Sequence, residues 1–276
     1  MVHVAGRSGI AVVVALAFSG PALAADMASD LMTSPLPTSG WIVSLKLNGI
    51  VEPEFLGSDD YSGIGFPSFS FRKAGTPEGF AAADDGVDFS LFGNEYFSVG
   101  PVGRYASGRY NGASRELRGL DSIGWTVQLG AYGEVWPTEW LRGRLEVRHG
   151  LNGDTGFVAD LAGDVVVRPG QWTLAIGPRM TLGDEQYMDT YFGVTKGAAA
   201  RNGRVSAYSP GGGVVSVGAL AGAGYQWNER WTTAGYARYD RLVGSAADSP
   251  IVKKLGSADQ FTFGVTVGYS FGVDGF

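Results

Sequence analysis

The densest run of ionisable side chains is LRGRLEVRH, residues 141–149. Arg142, Arg144, Glu146 and Arg148 fall there on every second position, between Leu141, Gly143, Leu145 and Val147. A helix would scatter these four charges around its circumference. On a strand, successive side chains point to opposite faces, so all four share one side. Glu134, Asp160, Asp164 and Arg179 fall on the same side of the flanking segments. If Trp136 faces Trp140 across the intervening turn, Glu134 lies opposite Arg142, and Tyr132 opposite Arg144. Cross-strand pairs of opposite charge contribute roughly 0.2–1 kcal/mol each. Such a ladder suits two tasks. It can fill a narrow interior with paired charge, or it can line an ion-selective passage with Arg142, Arg144, Arg148 and Arg179. The pairing of signs favours a filled interior with little or no conductance.

Other chemistries lack their parts. Nucleophilic hydrolysis of the Ser/His kind needs a histidine base. Beyond His3 the chain has one, His149, whose parity puts it on the Leu145/Val147 side, and no G-x-S-x-G elbow occurs. Asp154 and Thr155 are near it in sequence, and the expectation is a rim histidine and no enzyme. Asp59-Asp60 and Asp184-Glu185 are acidic pairs without calcium-loop spacing, and Asp84-Asp85-Gly86 reads as a turn. The glycine runs at 211–213 and 218–224 lack the Lys and Ser/Thr of a phosphate loop. Glycine there suits close packing against large interior side chains, such as Tyr236 opposite Gly222. With no cysteine there are no disulfides, thiol nucleophiles or cysteine-held metals, and no cofactor is expected. A net charge of −6 without a basic run excludes nucleic acid as a partner. The long link over 183–213 gathers Tyr187, Tyr191 and Phe192 as a candidate outer-loop partner surface, and Ala198-Ala199-Ala200-Arg201 suits a short capping helix.

The elements that would carry the ladder are extended. Charged residues make up only 17% of the chain against 45% hydrophobic, and aromatics reach 12%, which excludes disorder. Residues 1–24 read as a signal peptide. Arg7 precedes an apolar run over 10–18 that is too short to span a bilayer, and Ala22-Leu23-Ala24 is a cleavage site. Export through the Sec pathway and a periplasmic tail over 25–39 follow. From residue 40 onward the chain alternates. Strands are expected over 41–47, 66–72, 80–92, 97–106, 123–135, 141–149, 157–168, 172–182, 215–226, 231–241 and 260–271, with residues 272–276 as a C-terminal extension.

A soluble sandwich also alternates, but these segments run longer than its usual strands and suit a tilted membrane strand. Their polar face carries Gly, Ser, Thr and paired charges. Tight turns at 136–140, 169–170 and 227–231 alternate with long links at 107–120, 183–213 and 242–259. Short turns on one side and long loops on the other mark an outer-membrane barrel. Trp41, Trp136, Trp140, Trp172, Trp227 and Trp231 all sit at the short-turn end, as a periplasmic aromatic girdle would. The expectation is an all-β, antiparallel, up-and-down transmembrane β-barrel over 40–271. Eleven segments are countable and even numbers are the rule, so about twelve strands are expected, with ten as the alternative. Its surroundings would be outer-membrane lipid and lipopolysaccharide.

Phe55-Leu56-Gly57-Ser58-Asp59-Asp60-Tyr61 resembles a Y-E-G-S-D-D-Y segment of the MltA-interacting protein (MipA/OmpV) family. Gly100-Pro101-Val102 with Arg104-Tyr105, Leu117-Arg118-Gly119-Leu120, Tyr187-Met188, Tyr191-Phe192-Gly193-Val194-Thr195 and Asp248-Ser249-Pro250-Ile251-Val252 follow in the family's order. So do Gly256-Ser257 and Gln260-Phe261. The likeness covers about residues 40–271. It implies an outer-membrane barrel, and the role of an envelope scaffold joining a periplasmic murein hydrolase to a murein synthase. A small-solute transport barrel and a surface adhesin are the alternatives.

Overall fold

The computed structural model describes residues 36–76, 79–112 and 116–273. The expected signal peptide lies outside them, as do residues 25–35 of the expected tail and 274–276 of the expected extension. In chain order the elements are β1 (Trp41–Pro53), β2 (Tyr61–Lys73), β3 (Val87–Asp88), β4 (Phe92–Gly93), β5 (Phe97–Ala106), β6 (Thr126–Thr138), β7 (Leu141–Gly150), β8 (Phe157–Val167) and β9 (Trp172–Gly183). Two helices follow, α1 (Glu185–Phe192) and α2 (Lys196–Asn202), then β10 (Gly213–Gln226) and β11 (Trp231–Leu242). Helices α3 (Gly244–Asp248) and α4 (Pro250–Leu255) precede the last strand, β12 (Asp259–Val273).

All twelve strands belong to one antiparallel sheet. Consecutive strands from β5 to β12 are neighbours, and the last strand returns to the first, with Leu45 opposite Tyr269. β2 forms one end of the sheet, and β3 with β4, both on β5, form the other. The expected number of strands is met with a division of labour. Ten are long, while β3 and β4 have two residues each; β3 lies in the 80–92 segment expected as one strand and β4 straddles its end. β12 runs two residues past Phe271, into the expected extension.

The period of two sets what each face meets. On β1 and β2, Val43, Leu45 and Leu47 lie opposite Phe71, Phe69 and Pro67, all on the outer face. Leu47 is 65% exposed and Phe69 72%. The band continues through Leu129, Leu145, Leu161, Ile176, Val217 and Val265. An apolar surface running around most of a sheet is far larger than a water-soluble monomer presents, and it is the outer face of a membrane-spanning barrel. Val215 departs from its expected place on this face. A bulge between Val214 and Ser216 turns it inward, where it is buried beside Tyr187 and Leu242.

Because the strand interiors are polar, the apolar core gathers at one end, beneath the helices of the long links. Met188, Phe192, Ala246 and Val252 form one cluster with Ile123 and Val158. Leu117, Leu120, Ala198 and Ile251 form a second. Local signals fix these helices. Asp184 accepts the Tyr187 amide at the start of α1, and Thr195 caps α2, which ends on left-handed Gly203 (φ 71°). Ser249 and Pro250 open α4. The Ala198–Arg201 segment is helical as expected, within α2.

Candidate functional site

The ladder residues converge in the lumen. Arg142 donates to Asp85 (2.5 Å), Glu134 (2.8 Å) and Asp164 (2.9 Å). Arg144 donates to Asp88 (2.5 Å), Glu146 (3.0 Å) and Glu134 (3.2 Å). Arg148 pairs with Glu146 and, at 2.5 Å, with Asp160. Arg179 divides itself between Asp84 (2.7 Å) and Asp164 (2.8 Å). All eight ladder residues named from the sequence therefore belong to one connected network.

The cross-strand register differs from the expected one. Glu134 lies opposite Arg144, and Tyr132 opposite Glu146. The turn is shorter than a Trp136–Trp140 pairing allows: Thr138 pairs directly with Leu141, and a bulge follows Val135. Glu134 still reaches Arg142 on the diagonal, within range of a long side chain.

Sequence reasoning missed the centre of the network. Asp84 and Asp85 do form a turn, with the Asp85 amide on the Ala82 carbonyl and the Ala82 amide on the Asp85 carboxylate. That turn is folded into the lumen. Asp85 takes Arg142, while Asp84 takes Arg179 from β9 and Arg238 from β11 (2.9 Å). Arg104, Arg238 and Asp240 were also unassigned, though each shares the inward parity of its strand. Arg104 bonds the Asp84 carbonyl (2.5 Å) and Glu146 (3.1 Å). Arg238 pairs with Asp240 at 2.5 Å. Gly86 donates its amide to Glu146. A methyl group at Gly86 would meet Val102 at 2.5 Å, so the descent into the lumen requires glycine there.

The two turn carboxylates are driven in opposite directions. Burial raises Asp84, but Arg238, Arg179 and Arg104 outweigh it and hold the group below 3.8. For Asp85 burial dominates, with help from the neighbouring Asp84, and the carboxyl is pushed up to about 6 against the pull of Arg142 and Arg144.

The six tryptophans expected as a girdle divide between strand ends and the interior. Trp41 packs edge-on against Phe71, Trp172 and Trp227 flank Tyr225, and Trp231 meets Tyr269. Trp140 is exposed in its turn. Trp136 instead lies inside: its indole donates to Glu134 (2.7 Å) and its ring meets Phe80 edge-on, with Arg142 over the same phenyl ring. The reason is parity, since Trp136 is an even-numbered β6 residue like Tyr132 and Glu134.

The candidate partner surface is overturned. Tyr187 and Tyr191 are 6% exposed and Phe192 is fully buried, because α1 turns this side toward the barrel. They close the lumen from above. His149 is at the rim, edge-on against Phe157 across the strands. Tyr236 lies opposite Gly222 as expected, and opposite Gly264 on its other side. Among the described residues no three His, Asp or Glu side chains gather as a metal site.

No curated protein matches the sequence. Several solved structures align with most of the chain at low identity. An outer membrane channel from Pseudomonas putida F1 is 14% identical, with a TM-score of 0.41 over 86% of this chain and 97% of that one. The KdgM porin is 12% identical, with a TM-score of 0.38 over 83% and 99%. The CymD monoaromatic hydrocarbon channel is 10% identical, with a TM-score of 0.37 over 89% and 93%. The profile of one family, described as MltA-interacting protein MipA, matches residues 47–271. That span takes in the whole lumen network and all the long strands except the start of β1 and the end of β12, and the chain belongs to the MltA-interacting protein MipA family.

Proposed function

We propose that this protein is a charge-filled, non-enzymatic barrel of the outer membrane that acts as an envelope scaffold for peptidoglycan-remodelling enzymes. Its partners in this reading are outer-membrane lipid and lipopolysaccharide around the strands, and a periplasmic murein hydrolase and synthase at the short-turn rim. The observation that carries the closed-barrel part is the seating of Asp84 and Asp85 among Arg142, Arg144, Arg179 and Arg238. Ion pairs that cross the lumen occupy the path a solute would take. The family's description supports the partner class. Export by the Sec pathway, with cleavage after Ala24, completes the proposal, and the mass of the mature chain would test it.

Two measurements test it. Planar bilayers containing the purified protein are expected to stay silent, and steady porin-like openings would favour the transport reading instead. A periplasmic pull-down is expected to retrieve a murein hydrolase together with a synthase. Recovery of neither removes the scaffold role while leaving the closed barrel standing.

A further inference from the structure

Above the ion-pair network the lumen widens into a cavity of about 420 Å³. This lies within the roughly 300–1,000 Å³ of small-molecule sites. Asp84 and Asp85 line it from below and Tyr187 and Tyr191 of α1 from above, while Ile50, Phe66 and the exposed Leu56 add an apolar wall. Four of its carboxylates, Asp84, Asp85, Asp160 and Asp240, are ion-paired.

Two charges lining the same cavity are not paired among the described residues, and they have opposite signs. Arg109 is 5% exposed. One of its terminal nitrogens donates to the Tyr191 carbonyl (2.6 Å), its Nε has no partner, and no carboxylate is within ion-pair distance. Burial pulls this guanidinium down to about 10, with only the charge of Asp121 opposing. Glu52 is partly buried on the inward face of β1, opposite Ser62, and among the described residues its carboxylate has no ion pair and accepts no hydrogen bond. Tyr187, Tyr191 and Tyr236 also line the cavity.

An unpaired charge taken out of water is costly, and a counter-charge brought by a ligand removes that cost. A purely anionic ligand would satisfy Arg109 but crowd Glu52; a purely cationic one would do the reverse. We infer that the cavity is a binding site for a zwitterionic small molecule of the α-amino-acid type, its carboxylate held by Arg109, its ammonium by Glu52, and an apolar side chain against Phe66, Leu56 and Ile50.

Calorimetric titration of the full-length protein in detergent micelles tests this with three probes that share a phenyl ring. Phenylalanine carries both charges, 3-phenylpropionate only the negative one and phenethylamine only the positive one. Phenylalanine is expected to bind at least tenfold more tightly than either. Arg109→Gln is expected to lower phenylalanine to the level of phenethylamine, and Glu52→Gln to lower it to the level of 3-phenylpropionate. Equal affinities for the three probes, or no heat with phenylalanine, would overturn the inference. Arg109 also anchors the Tyr191 carbonyl, so its replacement can unseat α1. Glu52→Gln breaks no hydrogen bond and decides alone: a preference for phenylalanine over 3-phenylpropionate that survives it refutes the assignment.

Discussion

Arg142 and Asp164 stand directly opposite each other on β7 and β8 and form a 2.9 Å ion pair in which neither side chain is exposed at all. The second oxygen of Asp164 takes Arg179 at 2.8 Å. Arg142 extends to Glu134 and Asp85. The pair is thus the dry centre of a network in which each charge has more than one partner, the condition under which burial of ions is tolerated.

Removing one member leaves the others uncompensated. Arg142→Ala and Asp164→Ala are each expected to cost about 3–5 kcal/mol of stability, since a stranded buried charge is worth that much. The double replacement Arg142→Met with Asp164→Leu is expected to cost less than the two singles combined. Denaturant unfolding in detergent micelles measures all three, and strict additivity would contradict the coupling.

The turn at Asp84 and Asp85 binds arginines of three strands across the lumen. Replacing both with alanine removes one partner each of Arg142, Arg144, Arg179 and Arg238. Single-channel recording is expected to show openings in the double variant that the parent lacks. A silent double variant would mean that backbone packing, not charge, blocks the path.

The raised Asp85 carboxyl has a signed consequence. Between the ordinary 3.8 and about 6, the folded chain keeps a proton on Asp85 that the unfolded chain has released. This group's contribution to stability is therefore full at lower pH and declines as pH rises through that window. Asp85→Asn lacks the decline. The stability of the variant relative to the parent is expected to rise from pH 4.5 to pH 6.5 and then level off. A constant difference across that range would refute the assigned shift.

Quenching of tryptophan fluorescence by brominated acyl chains separates the girdle from the interior. Trp41→Phe and Trp172→Phe are expected to reduce the quenchable emission. Trp136→Phe is expected to remove emission that lipid does not quench, because that indole lies beside Glu134 and Phe80.

Much of this architecture is visible in the residues themselves. A polar interior and an apolar exterior force a strict period of two, so the faces of β7, β8 and β9 are readable directly, and indole chemistry marks the short-turn ends. What escapes a reading by period is whatever breaks it. The bulges after Val135 and at Val214 shift a register and turn Val215 inward. Asp84-Asp85-Gly86 has the composition of an ordinary surface turn, and nothing local says that four arginines from distant strands await it. Tyr187, Met188, Tyr191 and Phe192 sit in a long link between strands, yet Tyr187 with Tyr191, and Met188 with Phe192, are spaced i, i+4 behind the helix-capping Asp184. That spacing is the signal for a helix with a buried side.

The turn at Asp84 meets Arg179, 95 residues later, and Arg238, 154 residues later. These bonds cannot form until most of the polypeptide has been synthesised and its strands have arrived. Until then several inward-facing arginines lack part of their counter-charge, which makes partly inserted chains expensive. Contacts of such sequence separation slow folding. Here they also make insertion cooperative, so that a half-built wall has little reason to persist and assembly proceeds slowly, as a single event.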